Sequence, residues 1–259
     1  MPTERSNDKF AKNQPILLLS VIVPAFNEIQ FVEESLTRLH QALVETSVKF
    51  QILVVESNST DGTREKIVQL AETLNLKVIL QDTPRGKGFA VRQGIKEAEG
   101  DVLMIYDADN EYDPADIPRL ITPIALGETS FVLGSRHRKG VSMRQNHSFS
   151  FIFFLMNLAH VFFTFLINIF FQVKLRDPFT MYKIFRREIF QNVKLISNRF
   201  DLDWELVGLA VRRGAVPLEL PVSYKSRTFH EGKKIRVVRD PVTWLIALIR
   251  FRFFPIKIC

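Results

Sequence analysis

Asp107, Asp109, Glu111 and Asp113 fall at alternate positions in the stretch GDVLMIYDADNEYDP, directly after an apolar run. Alternate residues of an extended chain point the same way, so two or three of these carboxylates can present oxygens to one point. Such a group suits a hard divalent cation: magnesium takes one or two protein carboxylates and completes its shell with water and substrate phosphates. A short acidic pattern is more often a solvated turn, and its surroundings must choose between the two. Asp113, just before Pro114, fits a turn and helix start better than the cation.

The elements around the acids form a regular series. ILLLSVIV reads as a strand, residues 29–44 as a helix, FQILVVE as a strand and residues 61–74 as a helix. LKVIL, residues 86–98 and DVLMIY repeat the alternation. Short β-rich runs alternating with helices predict an α/β fold with a mostly parallel sheet covered on both faces. Ligands of such sheets bind beyond the carboxyl ends of the strands. The polar clusters PAFNE, ESNSTDGT and DADNEYDP each begin where a strand ends, so they should meet along one edge. PRGKGFAVRQG adds Arg85 and Lys87 in a glycine-flanked loop that opens a helix, either a phosphate cradle or an ordinary helix start.

The 259 residues can bury one sizeable core. A net charge of +7 suits a polyanionic partner: nucleic acid, anionic lipid or a phosphorylated substrate. Nucleic acid is the poorest of these, because the basic residues lack a recognised module or regular stacking aromatics. The single cysteine, Cys259, excludes an internal disulfide and fits a reducing compartment. The polar stretch 1–15 has no apolar h-region and reads as a mobile tail, which places the protein on the cytoplasmic side.

In order along the chain, SVIVPAFNE, NSTDGT, GKGFAVRQG, DADNEYDP, GSR, RDPFTMYKIFRR, DWELVGLAVRRG and SRTFHEGKK resemble the family 2 glycosyltransferases of GT-A fold. The likeness is to the branch that moves a sugar from a nucleotide sugar to a polyprenyl or dolichyl phosphate. It implies Mg2+ or Mn2+ on Asp107 and Asp109, with Glu111 as a further polar ligand and Asp109 at the catalytic centre. It implies nucleotide contacts from Pro24, Phe26, Glu28, Glu56, Asp61 and Lys87, together with Asp107. Glu56, Ser57, Asn58 and Ser59 stand where most relatives read Asp-Asp-Gly-Ser, a departure in the nucleotide corner.

Cations are needed to gather two anionic reactants, and they follow the acids in sequence. The resemblance assigns Arg227 and Lys233 to the donor diphosphate, and Arg136, Arg144, Lys183 and Arg186 to the acceptor phosphate. Solvated surface is the competing reading for many of them. Asp203 and Glu205, in DWEL, would contact sugar hydroxyls, with helix capping as the alternative for Asp203. A phosphate acceptor, already ionised at neutral pH, needs no general base.

Residues 149–171, FSFIFFLMNLAHVFFTFLINIFF, are long enough to span a bilayer, which takes roughly 20 apolar residues. Ser150, Asn157, His160, Thr164 and Asn168 nevertheless fall within about 80° of one another on a helix. Spanning would also separate the acids from the later basic motifs. A helix lying in the membrane interface, or packed on a partner or a second copy, is therefore expected. Residues 239–259 mix Trp244 and phenylalanines with Arg250, Arg252 and Lys257, as a membrane-surface segment does.

The expected layout is a tail over 1–15, a catalytic domain over 16–238 and a membrane-associating end over 239–259. The expected activity is inverting, metal-dependent sugar transfer to a polyprenyl phosphate. Extension of a lipid-linked or surface glycan, or a non-catalytic scaffold of the same fold, are the alternatives.

Overall fold

The computed structural model describes residues 8–137, 151–227 and 239–258, with side chains from Asn157 in the fifth helix and from Pro241 in the last. Seven strands form one sheet in the order β3-β2-β1-β4-β6-β5-β7. They are β1 (Leu19–Ala25), β2 (Phe50–Glu56), β3 (Leu76–Leu80), β4 (Val102–Ile105), β5 (Phe131–Ser135), β6 (Lys183–Arg186) and β7 (Leu218–Pro221). The helices are α1 (Val32–Val44), α2 (Thr63–Thr73), α3 (Lys87–Glu97), α4 (Ile117–Ala125), α5 (Phe151–Phe171), α6 (Leu202–Arg213) and α7 (Arg239–Phe253).

Four of the six strand pairings are parallel, and β6 alone runs against its neighbours β4 and β5. The central strands read as unbroken apolar runs because both faces are covered: all four residues of β4 are buried. α1 buries Val32, Leu36, Leu39 and Leu43, an i, i+4, i+7 stripe against the sheet. This is the mixed α/β architecture expected from the alternation of runs.

The reversal of β6 decides which residues can reach the site. The carboxyl ends of β1, β4, β5 and β7 share one edge with the beginning of β6, where Lys183 pairs with Ile105. Arg186 pairs with Val102 at the far end of the same strand. Three residues of extended chain, about 10 Å, carry it toward the opposite edge.

The segment before β1 differs from the expected mobile tail from Asp8 onward. Asp8 is buried and its carboxylate accepts from the Ser130 amide at 2.7 Å and the Ser130 hydroxyl at 2.8 Å. Residues 1–7 lie outside the described residues.

α5 is a helix turned inside out. Its polar stripe faces the protein: Asn168 donates to the Leu175 carbonyl and accepts from its amide, both at 2.8 Å, and His160 and Thr164 are buried. Val161, Phe162, Phe165 and Ile169 point outward and are 50–62% exposed. α7 packs against α5 and α6 and adds Leu245, Ile246, Ile249 and Phe253 to the exposed apolar surface. Among the described residues no helix is long and apolar enough to cross a membrane.

Candidate active site

A cavity of about 830 Å3 opens along the edge where the strand ends meet. One side holds Glu28, Asp107, Asp109, Glu111, Arg136 and Arg227; the other is walled by Phe163, Phe179, Met181 and Trp244. Charge is concentrated on the first side. Arg227 reaches Glu28 at 2.9 Å and Asp109 at 2.7 Å, and its amide donates to Glu111 at 2.9 Å. Lys87 binds Asp107 at 2.6 Å.

Among the described residues, the carboxylates of Glu28, Asp107, Asp109 and Glu111 thus cluster with the cations Lys87 and Arg227. Burial, then the charges of Asp107 and Glu111, push Asp109 up to about 7, while Arg227 and Lys87 pull the other way. A cluster of carboxylates whose mutual repulsion raises one of them suits a divalent cation. Asp107 and Asp109 are candidate ligands, both lining the cavity. Glu111 lines the same pocket and accepts from the Arg227 amide and from the Tyr224 hydroxyl at 2.8 Å, so it also fastens the 224–227 segment.

Arg136 leaves the end of β5 and lines the same cavity. Asp177, fully buried, accepts from its backbone amide at 2.8 Å, Nε at 2.8 Å and Nη2 at 2.6 Å. Burial raises Asp177, but the Arg136 guanidinium outweighs it and holds the carboxyl well below the usual range. Tyr224 covers the guanidinium at 5.4 Å. Asp177 and Tyr224 were not legible as site residues: Asp177 precedes a proline, a common turn signal, and Tyr224 lies in no charged motif. His160 also lines the cavity; burial pushes it down to about 4, so it stands neutral there.

The family whose description is glycosyl transferase family 2 matches residues 20–194. The chain belongs to glycosyl transferase family 2. Among related proteins, the dolichol-phosphate mannosyltransferase of Pyrococcus furiosus is 39% identical over 47% of this chain and 34% of its own length. The dodecaprenyl-phosphate galacturonate synthase of Rhizobium johnstonii is 29% identical over 74% of this chain and 56% of its own. The chain covers less than half of the length of the dolichol-phosphate mannosyltransferases it matches. In three dimensions it is similar to glucosyl-3-phosphoglycerate synthase from Mycobacterium tuberculosis in complex with Mn2+, UDP and glucosyl-3-phosphoglycerate, with a TM-score of 0.66, 20% identity and coverage of 98% of this chain and 86% of that one.

Several residues matched to the glycosyl transferase family 2 pattern sit elsewhere than expected. Lys183 is fully buried, with Nζ bonded to Asp203 at 2.6 Å and to the Thr180 carbonyl, so it is spent on a side chain of the cavity wall instead of an acceptor phosphate. Arg186 donates to the carbonyls of Lys12, Gln14 and Ile124 and fastens the N-terminal segment, because β6 runs away from the site. Glu205 accepts from the amides of Ile196 and Ser197 at 2.7 and 2.8 Å and shapes that loop; it does not line the catalytic cavity. Arg144 and Lys233 lie outside the described residues.

The nucleotide corner divides in the same way. Pro24, Phe26, Glu28, Lys87 and Asp107 line the cavity. Glu56 is fully buried against Arg64 and accepts from the Asn58 and Ser59 amides, so the extra methylene of glutamate serves the loop and its ion pair. Asp61 accepts from Thr63 and from the Ile29 amide and joins two loops behind the corner.

The start of α3 is a packing contact rather than an open phosphate cradle. The Phe89 amide donates to the Asn198 carbonyl at 3.1 Å, and Arg85 lies over the Phe89 ring. Gly86 has φ +99°, and a Cβ there would meet the Asn198 oxygen at 2.4 Å. Gly86→Ala should therefore destabilise the protein by about 2 kcal/mol or more, through strain and clash together. A urea melt reads this; an unchanged midpoint would mean that the 197–200 loop is not held against α3.

Proposed function

We propose that this chain transfers a sugar from a UDP- or GDP-linked donor to a polyprenyl or dolichyl phosphate at a membrane surface, with inversion. The carrying observation is the shape of the cavity. It joins an acid and arginine cluster, suited to two phosphorylated reactants, to an apolar wall built by the helices that turn their apolar faces outward. The names of the relatives and the UDP and Mn2+ of the structural neighbour support the same reading.

In the reaction, an oxygen of the acceptor phosphate attacks the anomeric carbon as the bond from that carbon to the nucleotide diphosphate breaks. The acceptor is already an anion, since the second pKa of a phosphate monoester is about 6. Positioning and charge compensation then dominate. Arg136, held by Asp177, gathers the acceptor phosphate. Lys87 and Arg227 lie where the donor diphosphate approaches Asp107 and Asp109. A bound Mg2+ or Mn2+ would neutralise charge developing on the departing diphosphate.

The hydroxyl-acceptor alternative needs a general base. Glu205 is turned to the 196–197 amides, and Asp203 is tied to Lys183, so the geometry favours it less. The outward faces of α5 and α7 rest on the membrane interface, on the reducing, cytoplasmic side that a chain with one cysteine suits.

Detergent-solubilised protein with bare polyprenyl phosphate and a panel of nucleotide sugars should form a glycolipid only in the presence of a divalent metal. Product from sugar-bearing lipids alone would replace this reading by glycan extension. Binding of donor without turnover of any acceptor would replace it by a scaffold role.

A further inference from the structure

A second cavity, of about 560 Å3, shares no lining residue with the catalytic one. It lies between α6, α7 and the segment after α7. Lys194, Arg212, Arg250 and Lys257 line it, beside Leu209, Ile246, Ile249, Phe254 and Ile256. Among the described residues none of these four cations is within 4.0 Å of a carboxylate. The lining acid, Glu205, already accepts from two backbone amides.

The rim is built rather than incidental. Arg212 Nη1 donates to the carbonyls of Phe251 and Phe254, both at 2.8 Å, and so turns the chain at the end of α7. The Lys194 amide then donates to the Lys257 carbonyl at 2.9 Å, and Val193 bridges Ile258. Burial, then the charge of Arg252, lowers Arg212, a crowding of like charge that a bound anion would relieve.

The ligand must match both halves of this surface. A small anion would satisfy the cations but leave Ile246, Ile249, Phe253 and Phe254, each at least 52% exposed, in water. An anionic phospholipid supplies a phosphate for the basic rim and acyl chains for the apolar one, and that apolar rim continues onto the outward face of α7. We propose that this second cavity is a headgroup site for an anionic phospholipid, separate from the substrate lipid, which orients the protein on an anionic membrane. The proposal rests on the membrane-surface reading of α5 and α7, and not on the reaction assigned to the first cavity.

The test is flotation with phosphatidylcholine vesicles, with and without phosphatidylglycerol. Three proteins are compared: wild type, Lys194→Gln/Arg250→Gln/Lys257→Gln, and a control that removes equal charge elsewhere, Lys49→Gln/Lys77→Gln/Lys96→Gln. Each basic residue near an anionic surface is worth roughly a five-fold factor, so the cavity triple should lose about 100-fold on anionic vesicles and nothing on neutral ones. The control should lose far less, since Lys49, Lys77 and Lys96 lie before β2, on β3 and on α3, none of which lines this cavity, and exposed charges more than a Debye length of about 8 Å from a surface are largely screened.

Glycolipid synthesis in detergent micelles, together with the melting temperature, should be unchanged in the cavity triple; this separates the site from the catalytic reading. Equal loss in both triples would reduce the effect to diffuse charge and overturn the site. So would equal binding of wild type to neutral and anionic vesicles, which leaves only the apolar face. Saturable binding of inorganic phosphate without lipid, lost in the cavity triple, would make it a free-anion site instead.

Discussion

Asp109→Asn is expected to lower kcat by about 1,000-fold, near 4 kcal/mol of transition-state stabilisation, with the fold intact. The side chain sits at the centre of the charge cluster, 2.7 Å from Arg227, and no other carboxylate takes its place if Glu111 stays fastened to Tyr224 and the Arg227 amide. Stability should move the other way. In metal-free buffer Asp109 has a carboxyl raised from 3.8 to about 7, so between those pH values the folded protein holds a proton that the unfolded chain releases. The charge of Asp109 therefore costs stability increasingly as pH rises from about 4 to about 7. The asparagine variant should melt higher than wild type at pH 8 and at the same temperature near pH 4. Retained turnover would remove Asp109 from the chemistry; a lower melting temperature at pH 8 would show that the cluster stabilises the fold instead of straining it.

Lys183→Met should unfold the protein roughly 6–20 °C earlier, from the 3–5 kcal/mol typical of orphaning one member of a buried ion pair. Lys183 and its partner Asp203 are both buried, the lysine fully so. Burial raises the Asp203 carboxyl and lowers the Lys183 ammonium, each opposed by the charge of the other. The double variant Lys183→Met/Asp203→Leu should recover most of the lost stability, because no charge is left unpaired. A lysine that served the acceptor phosphate would behave differently: the single variant would melt normally and lose turnover. Thermal melts of the three proteins decide between a wall support and a substrate ligand.

The wall that Lys183 supports gives the cavity an apolar side opposite its charged one. Asp203 and Trp204 head α6; Trp204 packs on Phe163 and Phe179, and Phe163 packs in turn on Trp244 of α7. The apolar side of the cavity is thus continuous with α5 and α7, the helices that turn apolar faces outward. The buried Lys183–Asp203 pair ties α6 to β6, and Asp177, paired with Arg136, lies 3.9 Å from His160 of α5.

Sequence by itself determined the sheet and the edge on which the acids lie. Apolar runs of strand length alternating with helical stripes admit little else, and a polar cluster after each strand can only collect where parallel strands end. That logic placed Pro24, Phe26, Glu28, Asp107 and Asp109 along one cavity, the family resemblance added Arg136, and the polar stripe of α5 was likewise written in its spacing.

The tertiary structure decided which charges line the cavity and which hold the protein together. Lys183 and Arg186 are three residues apart in one basic motif, yet the reversed direction of β6 sends one to a buried aspartate and the other to the N-terminal segment. Glu56, Asp61 and Glu205 look like ligands in sequence, but each is consumed by nearby amides or an arginine that only folding brings within reach. Local pattern specifies direction and burial along a strand. Whether a charged side chain meets a partner or a cavity depends on how loops and strands fold back on one another, across 8 and 9 residues for Glu205 and 174 for Arg186 with Lys12, and the periodicity of one element does not encode that.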